Sequence, residues 1–263
     1  MIYILLPAYN EEQSLDHILP KIEDLMKNDL KCHFHLIICN DGSRDKTLEK
    51  IKYYQKSMPI TIINHKINRG LGETIRDLFE KAAEMSEDED IIIRLDCDDT
   101  HEPQYIRGLL KKIEEGYDVA IASRFVKGGG QQGLNTYRRT ISLLANKFMK
   151  VFFPIKGLKE YSSGFRAYRA GVIKKAIKVF KNNFTQLKGL GFTCTLEKIV
   201  KLKILGAKFG ESPFILKYHQ KRSPSKMVGS VTTFGYIVMV FLYYWPWGGW
   251  RRGYKNIEKL HGD

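Results

Sequence analysis

The stretch Ile91-Ile92-Ile93-Arg94-Leu95-Asp96-Cys97-Asp98-Asp99-Thr100-His101-Glu102-Pro103 decides the fold. A short apolar run stops abruptly at three carboxylates within four residues, Asp96, Asp98 and Asp99, and reads as a strand that delivers acidic groups to its carboxyl end. Three ionised groups this close repel one another strongly at low effective dielectric, so a folded chain holds them where a metal or several donors neutralise them. Mg²⁺ or Mn²⁺ suits that role, particularly when a ligand diphosphate completes the octahedron. A solvated loop after the strand, with Asp and Thr capping a helix that opens at Pro103, accounts for the same residues.

Outward from this strand, further apolar runs of strand length lie at Ile2 to Leu6, Phe34 to Cys39, Ile60 to Ile63 and Val119 to Ala122. Between them, amphipathic stretches at Glu11 to Lys27, Ser43 to Gln55, Gly70 to Met85 and Pro103 to Glu114 each open on a cap, Gly or Pro signal. The alternation predicts an α/β domain around a mostly parallel sheet. Polar clusters follow three of the strands directly: Pro7-Ala8-Tyr9-Asn10-Glu11-Glu12, Asn40-Asp41-Gly42-Ser43-Arg44-Asp45 and the acidic triplet. In an open parallel sheet the carboxyl ends face one crevice, where nucleotides commonly bind, so these clusters are expected to converge.

The chain of 263 residues, 43% hydrophobic, has an ordinary globular composition. Four cysteines without CxxC spacing, and a first strand entered with no basic-then-apolar leader, predict a reducing, cytosol-facing location. A formal charge of +14 attracts polyanions, whether nucleic acid, phosphorylated substrates or an anionic membrane leaflet. The basic residues form no known nucleic-acid reader motif, and no nucleic-acid partner is expected.

Several other clusters stand out along the chain. Asp41-Gly42-Ser43 suits a strand-to-helix turn with Ser43 as the helix cap. Asn68-Arg69-Gly70-Leu71-Gly72 permits close backbone approach at a helix start, a favourable place for an anion. Gly128 to Gly133 reads as a mobile loop over a site. Arg124, Arg138 and Arg139 suit solvated surface, but Arg138, Ser142 and Asn146 lie at i, i+4 and i+8, a polar stripe suited to a phosphate group. Tyr161 to Arg169 is polar, small and aromatic ahead of a helix starting near Ala170. Glu197 is either an exposed helix carboxylate or a ligand. The run from Lys217 to Lys226, with Lys217, His219, Lys221, Arg222 and Lys226, is a solvated loop or a clamp on phosphates.

From Met227 to Trp250 there is no charged residue, and the stretch is rich in Phe, Tyr and Trp. A helix from Val228 to Trp245, stopping at Pro246, reaches only about 27 Å, marginal against the roughly 20 apolar residues a bilayer core needs. Arg222 and Lys226 before it and Arg251, Arg252 and Lys255 after it favour an interfacial or re-entrant helix over a buried one. The expected division is a catalytic domain over residues 1–226 and a membrane-associated helix with a basic tail over 227–263.

In order, Pro7 to Glu11, Asn40 to Asp45, Asn68 to Gly72, Asp96 to Pro103, Ser123-Arg124-Phe125, the Arg138/Ser142/Asn146 stripe, Ser163-Gly164-Phe165-Arg166 and Ser225-Lys226 resemble family 2 glycosyltransferases, particularly the polyprenyl-phosphate branch. The resemblance covers about residues 1 to 227. It implies a GT-A fold and inverting transfer of a hexose from a nucleotide-diphosphate sugar to a polyprenyl phosphate at the cytosolic membrane face, with Mg²⁺ or Mn²⁺. By motif, Pro7, Tyr9, Glu11 and Asp41 would hold base and ribose, with Gly70 close by. Asp96, Asp98 and Thr100 would surround the metal, Cys97 contributing backbone rather than thiolate. Arg124, Arg138, Ser142, Arg222 and Lys226 would handle the donor diphosphate and acceptor phosphate, and Asp99 is the candidate base if the acceptor is a hydroxyl. A homo-oligomer or a small membrane subunit is a further expected partner. Three departures stand out: Asn40 replaces a first Asp, Glu160 replaces an Asp, and Arg222-Ser223-Pro224-Ser225-Lys226 shortens the R-x-x-G-x-S-K motif. The rival readings are a family 2 enzyme acting on a sugar or protein hydroxyl, and a catalytically silent membrane-docked nucleotide-binding partner.

Overall fold

Seven strand segments line up side by side in the computed structural model, which describes residues 1–133, 136–222 and 229–244, the side chains of Tyr137, Arg138 and Ile141 excepted. The strands are β1 (Ile2–Ala8), β2 (Phe34–Asp41), β3 (Ile60–His65), β4 (Ile91–Arg94), β5 (Val119–Ser123), β6 (Gly130–Gln132), β7 (Arg166–Arg169), β8 (Phe209–Pro213) and β9 (Ile215–Lys217). The helices are α1 (Glu12–Asp24), α2 (Thr47–Tyr54), α3 (Leu71–Met85), α4 (Ile106–Glu114), α5 (Thr136–Phe152), α6 (Ala170–Phe180), α7 (Thr193–Ile204) and α8 (Gly229–Tyr243). The main sheet runs β3-β2-β1-β4-β7-β5-β8, parallel except for β7, which is antiparallel to both its neighbours.

Strand periodicity sorts the core into two layers. On β1, Ile2, Ile4 and Leu6 face one side and join Leu15, Ile18 and Leu19 of α1 and Leu109 and Ile113 of α4. Tyr3 and Leu5 face the other side, against Leu78 and Phe79 of α3, Ile173 of α6, Ile199 of α7 and Met239 of α8. Burial on both faces explains why the strands read as continuous apolar runs.

Four local expectations change. Gly128 to Gly133 is not a free loop, because Gly130–Gln132 pairs in parallel with Ile215–Lys217 as a two-stranded sheet. Ser43 caps no helix: its hydroxyl accepts the Asn10 N–H at 2.9 Å, and α2 begins at Thr47, whose N–H donates to Asp45. The segment before Ala170 supplies β7, which splits the parallel set between β4 and β5. Glu197 is neither an exposed carboxylate nor a ligand: it is fully buried and accepts the N–H groups of Gln186 and Leu187, Lys201 Nζ at 2.5 Å and Tyr243 Oη at 2.5 Å.

The last contact ties α8 to the domain. Thr232, Gly235, Met239, Val240 and Tyr243 form its buried face, and Gly235 rests against Thr193, where a larger residue would collide. Its opposite face leaves Phe234 59% and Phe241 60% exposed. Among the described residues, no helix is long and apolar enough to cross a membrane. Trp245 and Pro246, the expected end of this helix, lie outside the described residues.

On α7, Lys198 is buried with its ammonium over the rings of Phe79 and Phe184, donating to the Cys194 carbonyl at 3.3 Å. Burial pushes its pKa down to about 8 despite the pull of Cys194 and Glu197. The unfolded chain keeps that proton to about 10.4, so above pH 8 it binds more protons than the folded one and stability rises with pH. The urea midpoint of the wild type should therefore gain on that of Lys198→Met between about pH 8 and 9, a comparison that cancels the cysteine and tyrosine titrations common to both. Parallel pH profiles for the two proteins would contradict it.

Candidate functional site

The order reverses between β1 and β4, and the carboxyl ends of β1, β2, β4 and β5 open on one side of the sheet there. The loops after β1 and β2 are laced together. Asn10, at φ 51°, accepts the Arg44 N–H, Glu11 N–H donates to Thr47 Oγ1 at 2.8 Å, and Glu12 exchanges bonds with Asp45 and Lys46. Pro7, the penultimate residue of β1, and Tyr9, just beyond the strand, are both half-buried, and the buried Glu11 carboxylate accepts the Ser14 hydroxyl.

Asp41 holds the next loop. Its carboxylate accepts the N–H groups of Arg69 at 2.8 Å and Gly70 at 2.9 Å and faces His65 Nδ1 at 2.7 Å, while the other ring nitrogen of His65 meets Asp77 at 2.9 Å. Gly70, at φ 88°, lets the chain turn into α3 with its N–H aimed at that carboxylate. The anion at the start of α3 is thus the protein's own side chain.

The acidic hairpin after β4 is built on buried cations and one buried imidazole. Arg94 sends its guanidinium beneath Gly164 to Asp96 at 2.5 Å, and a Cβ on Gly164 would fall inside that guanidinium. His101, stacked 5.2 Å from the Phe165 ring, accepts the Asp96 N–H at 3.0 Å on Nδ1, and burial keeps it below its ordinary pKa and therefore neutral. Arg166 is buried and donates to the carbonyls of Thr195 and Tyr161. The Ser163-Gly164-Phe165-Arg166 segment therefore braces the hairpin from below.

Within the hairpin the carboxylates diverge. Asp98 accepts the hydroxyl of Thr100 at 2.6 Å and its N–H at 3.2 Å, and its other oxygen pairs with Lys221. Burial alone would raise the Asp98 carboxyl, but the charge of Lys221 and the hydrogen bonds from Lys221 and Thr100 outweigh it and keep Asp98 ionised. Thr100 thus aims Asp98 rather than facing outward itself. Asp99, at φ 64°, is buried against Lys21 Nζ at 2.9 Å with Arg222 Nε at 3.8 Å. Cys97 is buried between Asp96 and Asp98.

Arg124 lies deep at the end of β5, bonded through two nitrogens to Glu160 at 2.7 and 2.9 Å and to Ser162 Oγ at 2.7 Å. Burial pushes the Glu160 carboxyl up, and Arg124 and Ser162 more than reverse it. Asn146 of α5 joins this cluster through Ser162 Oγ and the Tyr161 N–H, and also bonds the Ser142 carbonyl. The Arg138 side chain and Lys226 lie outside the described residues. Sequence reasoning missed the supports Arg94, His101 and Lys21, and it read Lys221 as part of a solvated loop or a phosphate clamp, where the structure pairs it with Asp98.

Hard carboxylate oxygens on Asp96 and Asp98 suit a divalent cation, and an ionised Asp98 that already carries an ammonium shows that its surroundings accept positive charge. No group of three His, Cys, Asp or Glu side chains is poised for a metal among the described residues. The fit is therefore to an ion held by one or two carboxylates, with ligand phosphates and water completing its shell.

The glycosyl transferase family 2 profile matches residues 3–177. A dolichol-phosphate mannosyltransferase from Pyrococcus furiosus is 28% identical over 241 residues, 91% of this chain and 62% of the relative. A polyprenol monophosphomannose synthase from Mycolicibacterium smegmatis is 25% identical over 174 residues, 65% of this chain and 63% of the relative. The chain thus spans less than two thirds of the length of both relatives. Among solved structures, glucosyl-3-phosphoglycerate synthase from Mycobacterium tuberculosis with Mg²⁺ and uridine diphosphate superposes with a TM-score of 0.60 at 18% identity, over 92% of this chain and 78% of that one. The S. aureus TarS fragment 1–349 gives a TM-score of 0.55 at 19% identity, over 80% and 57%. The sheet order, the α/β GT-A architecture and the profile match over most of the chain make it a member of the glycosyl transferase family 2.

Proposed function

We propose that the chain is an inverting glycosyltransferase that moves a hexose from a nucleotide-diphosphate sugar to a polyprenyl phosphate at the cytosolic membrane face. One observation carries the choice of acceptor. Asp99, the candidate base for a hydroxyl acceptor, is buried and paired to Lys21. An acceptor that arrives as an anion needs no base, and a lipid monophosphate is such an acceptor. The two curated relatives, whose names specify dolichol-phosphate and polyprenol-monophosphate mannose chemistry, support the same reading.

On this reading Asp96 and Asp98 would hold a divalent ion, with the donor diphosphate supplying further oxygens. Such an ion supplies Lewis-acid stabilisation of the charge on the departing nucleotide. Arg94 and His101 fix Asp96, and Thr100 fixes Asp98, so the two carboxylates need little reorganisation when the donor arrives. The α5 stripe, with Ser142 and Asn146, borders the Arg124–Glu160 cluster and is suited to the acceptor phosphate. Glu160 and Ser162 fix Arg124, so its charge acts there as a fixed field.

The outer face of α8, with Phe234, Ile237 and Phe241 exposed, is proposed to lie in the membrane interface, helped by the net charge of +14. This face and Leu143 and Leu144 of α5 leave large apolar side chains uncovered.

Incubated with nucleotide sugars and a short polyprenyl phosphate, the protein should yield a lipid-linked hexose phosphate detectable by mass, and nothing from the same polyprenol lacking its phosphate. Transfer to the free polyprenol, or to a sugar hydroxyl alone, would contradict the acceptor class. Asp98→Asn and excess chelator should each lower turnover by at least about 100-fold, and undiminished turnover in either would remove the metal role. Phe234→Glu with Phe241→Glu should weaken sedimentation with anionic vesicles about tenfold or more; unchanged partitioning would contradict the α8 assignment.

A further inference from the structure

The segment after β8 runs along the acidic hairpin as a basic strap. Ile215–Lys217 pairs with β6, and the Lys217 N–H donates to the Thr100 carbonyl at 3.4 Å. A single 3₁₀ turn, Tyr218–Gln220, then brings the chain back. Three basic side chains of this strap meet three carboxylates of the hairpin: Lys217 with Glu102 at 3.6 Å, Lys221 with Asp98, and Arg222 with Asp99 at 3.8 Å. Lys221 stands apart from the other two, because its partner is the carboxylate assigned to the metal. Its side chain is 15% exposed and that of Asp98 14%, so the pair is largely withdrawn from water. The charges of Asp98, Asp96 and Glu11 all act on its ammonium.

We infer that Lys221 is a tethered cation occupying the divalent-ion position at Asp98, so that loading the site exchanges one cation for another. This rests on the reading of Asp96 and Asp98 as the metal carboxylates. An ammonium and a divalent ion on the same Asp98 oxygen would place like charges in contact, and one must leave. Lysine suits the exchange, because its ammonium is a compact point charge on a flexible four-carbon stem, without the bidentate fork that would lock an arginine to the carboxylate. In its place Lys221 neutralises an acidic site that would otherwise be left with buried, unpaired charge. Once displaced, it remains tethered beside the incoming diphosphate, an anion it is chemically suited to meet. The strap thereby sets how tightly the site takes a metal ion before the donor is bound.

The test is Mn²⁺ binding to the full chain without nucleotide, read as loss of the free-ion signal in electron paramagnetic resonance. Lys221→Met and Lys221→Gln should each bind Mn²⁺ about tenfold more tightly than the wild type. Lys221→Arg, which keeps the charge, should stay within about threefold of it, and Asp98→Asn should weaken binding. Wild-type binding abolished by Asp98→Asn but no tighter in the Met and Gln proteins would overturn the exchange and leave the metal reading standing. No Mn²⁺ binding by any of the five proteins would overturn both. Cooperative thermal unfolding of each variant establishes that the comparison is between folded proteins, and agreement between Met and Gln separates charge removal from a side effect of either side chain.

Discussion

Carboxylates gathered at the ends of neighbouring strands repel one another, and the architecture of this protein follows from how each is compensated. Arg94 reaches Asp96, Lys221 covers Asp98, Lys21 holds Asp99, and Arg124 grips Glu160. Removing one partner of such a pair, where it is buried, leaves an uncompensated charge that costs about 3–5 kcal/mol, so the cations are as much part of the site as the acids. Their placement dictates features that otherwise look arbitrary. Gly164 must lack a side chain because the Arg94 guanidinium passes there, and β7 must run beside β4 so that the segment before it can bring Gly164 and Phe165 under the hairpin.

The same compensation divides the acidic residues by what remains for them to do. Asp41 is engaged by two backbone N–H groups and His65, and its work in this state is to hold the turn into α3. Asp99 is committed to Lys21. Asp96 and Asp98 are the pair best disposed to bind something new: Asp96 is 27% exposed at its side chain, and Asp98 is held by a lysine that can swing away. On the proposed function, a transferase joining two phosphate-bearing substrates would need positive groups to bring them together more than it would need a base, and the site is rich in the former.

The strand frame was legible in the sequence because strands covered on both faces read as unbroken apolar runs; the expected starts at Ile2, Phe34, Ile60, Ile91 and Val119 are the observed ones. β7, β8 and β9 were not legible. Arg166 and Arg169 bound a strand of four residues, and a buried arginine gives no apolar signal. The family motifs located the hairpin, since they are local in sequence. The pairings across it were hidden because they join residues as far apart as Asp98 and Lys221. Glu197 misleads for a related reason: its partners come from three separate segments, and only their convergence turns an apparent surface carboxylate into a buried anchor for α8.

The central claim, that internal cations hold the Asp96–Asp98 pair ready for a metal-bound diphosphate, is tested most directly by anomalous diffraction from crystals soaked with Mn²⁺ and a nucleoside diphosphate. The account predicts an anomalous peak within coordination distance of the Asp98 carboxylate, with Lys221 withdrawn from Asp98. A bound nucleotide with no peak there, and Lys221 still paired with Asp98, would contradict it.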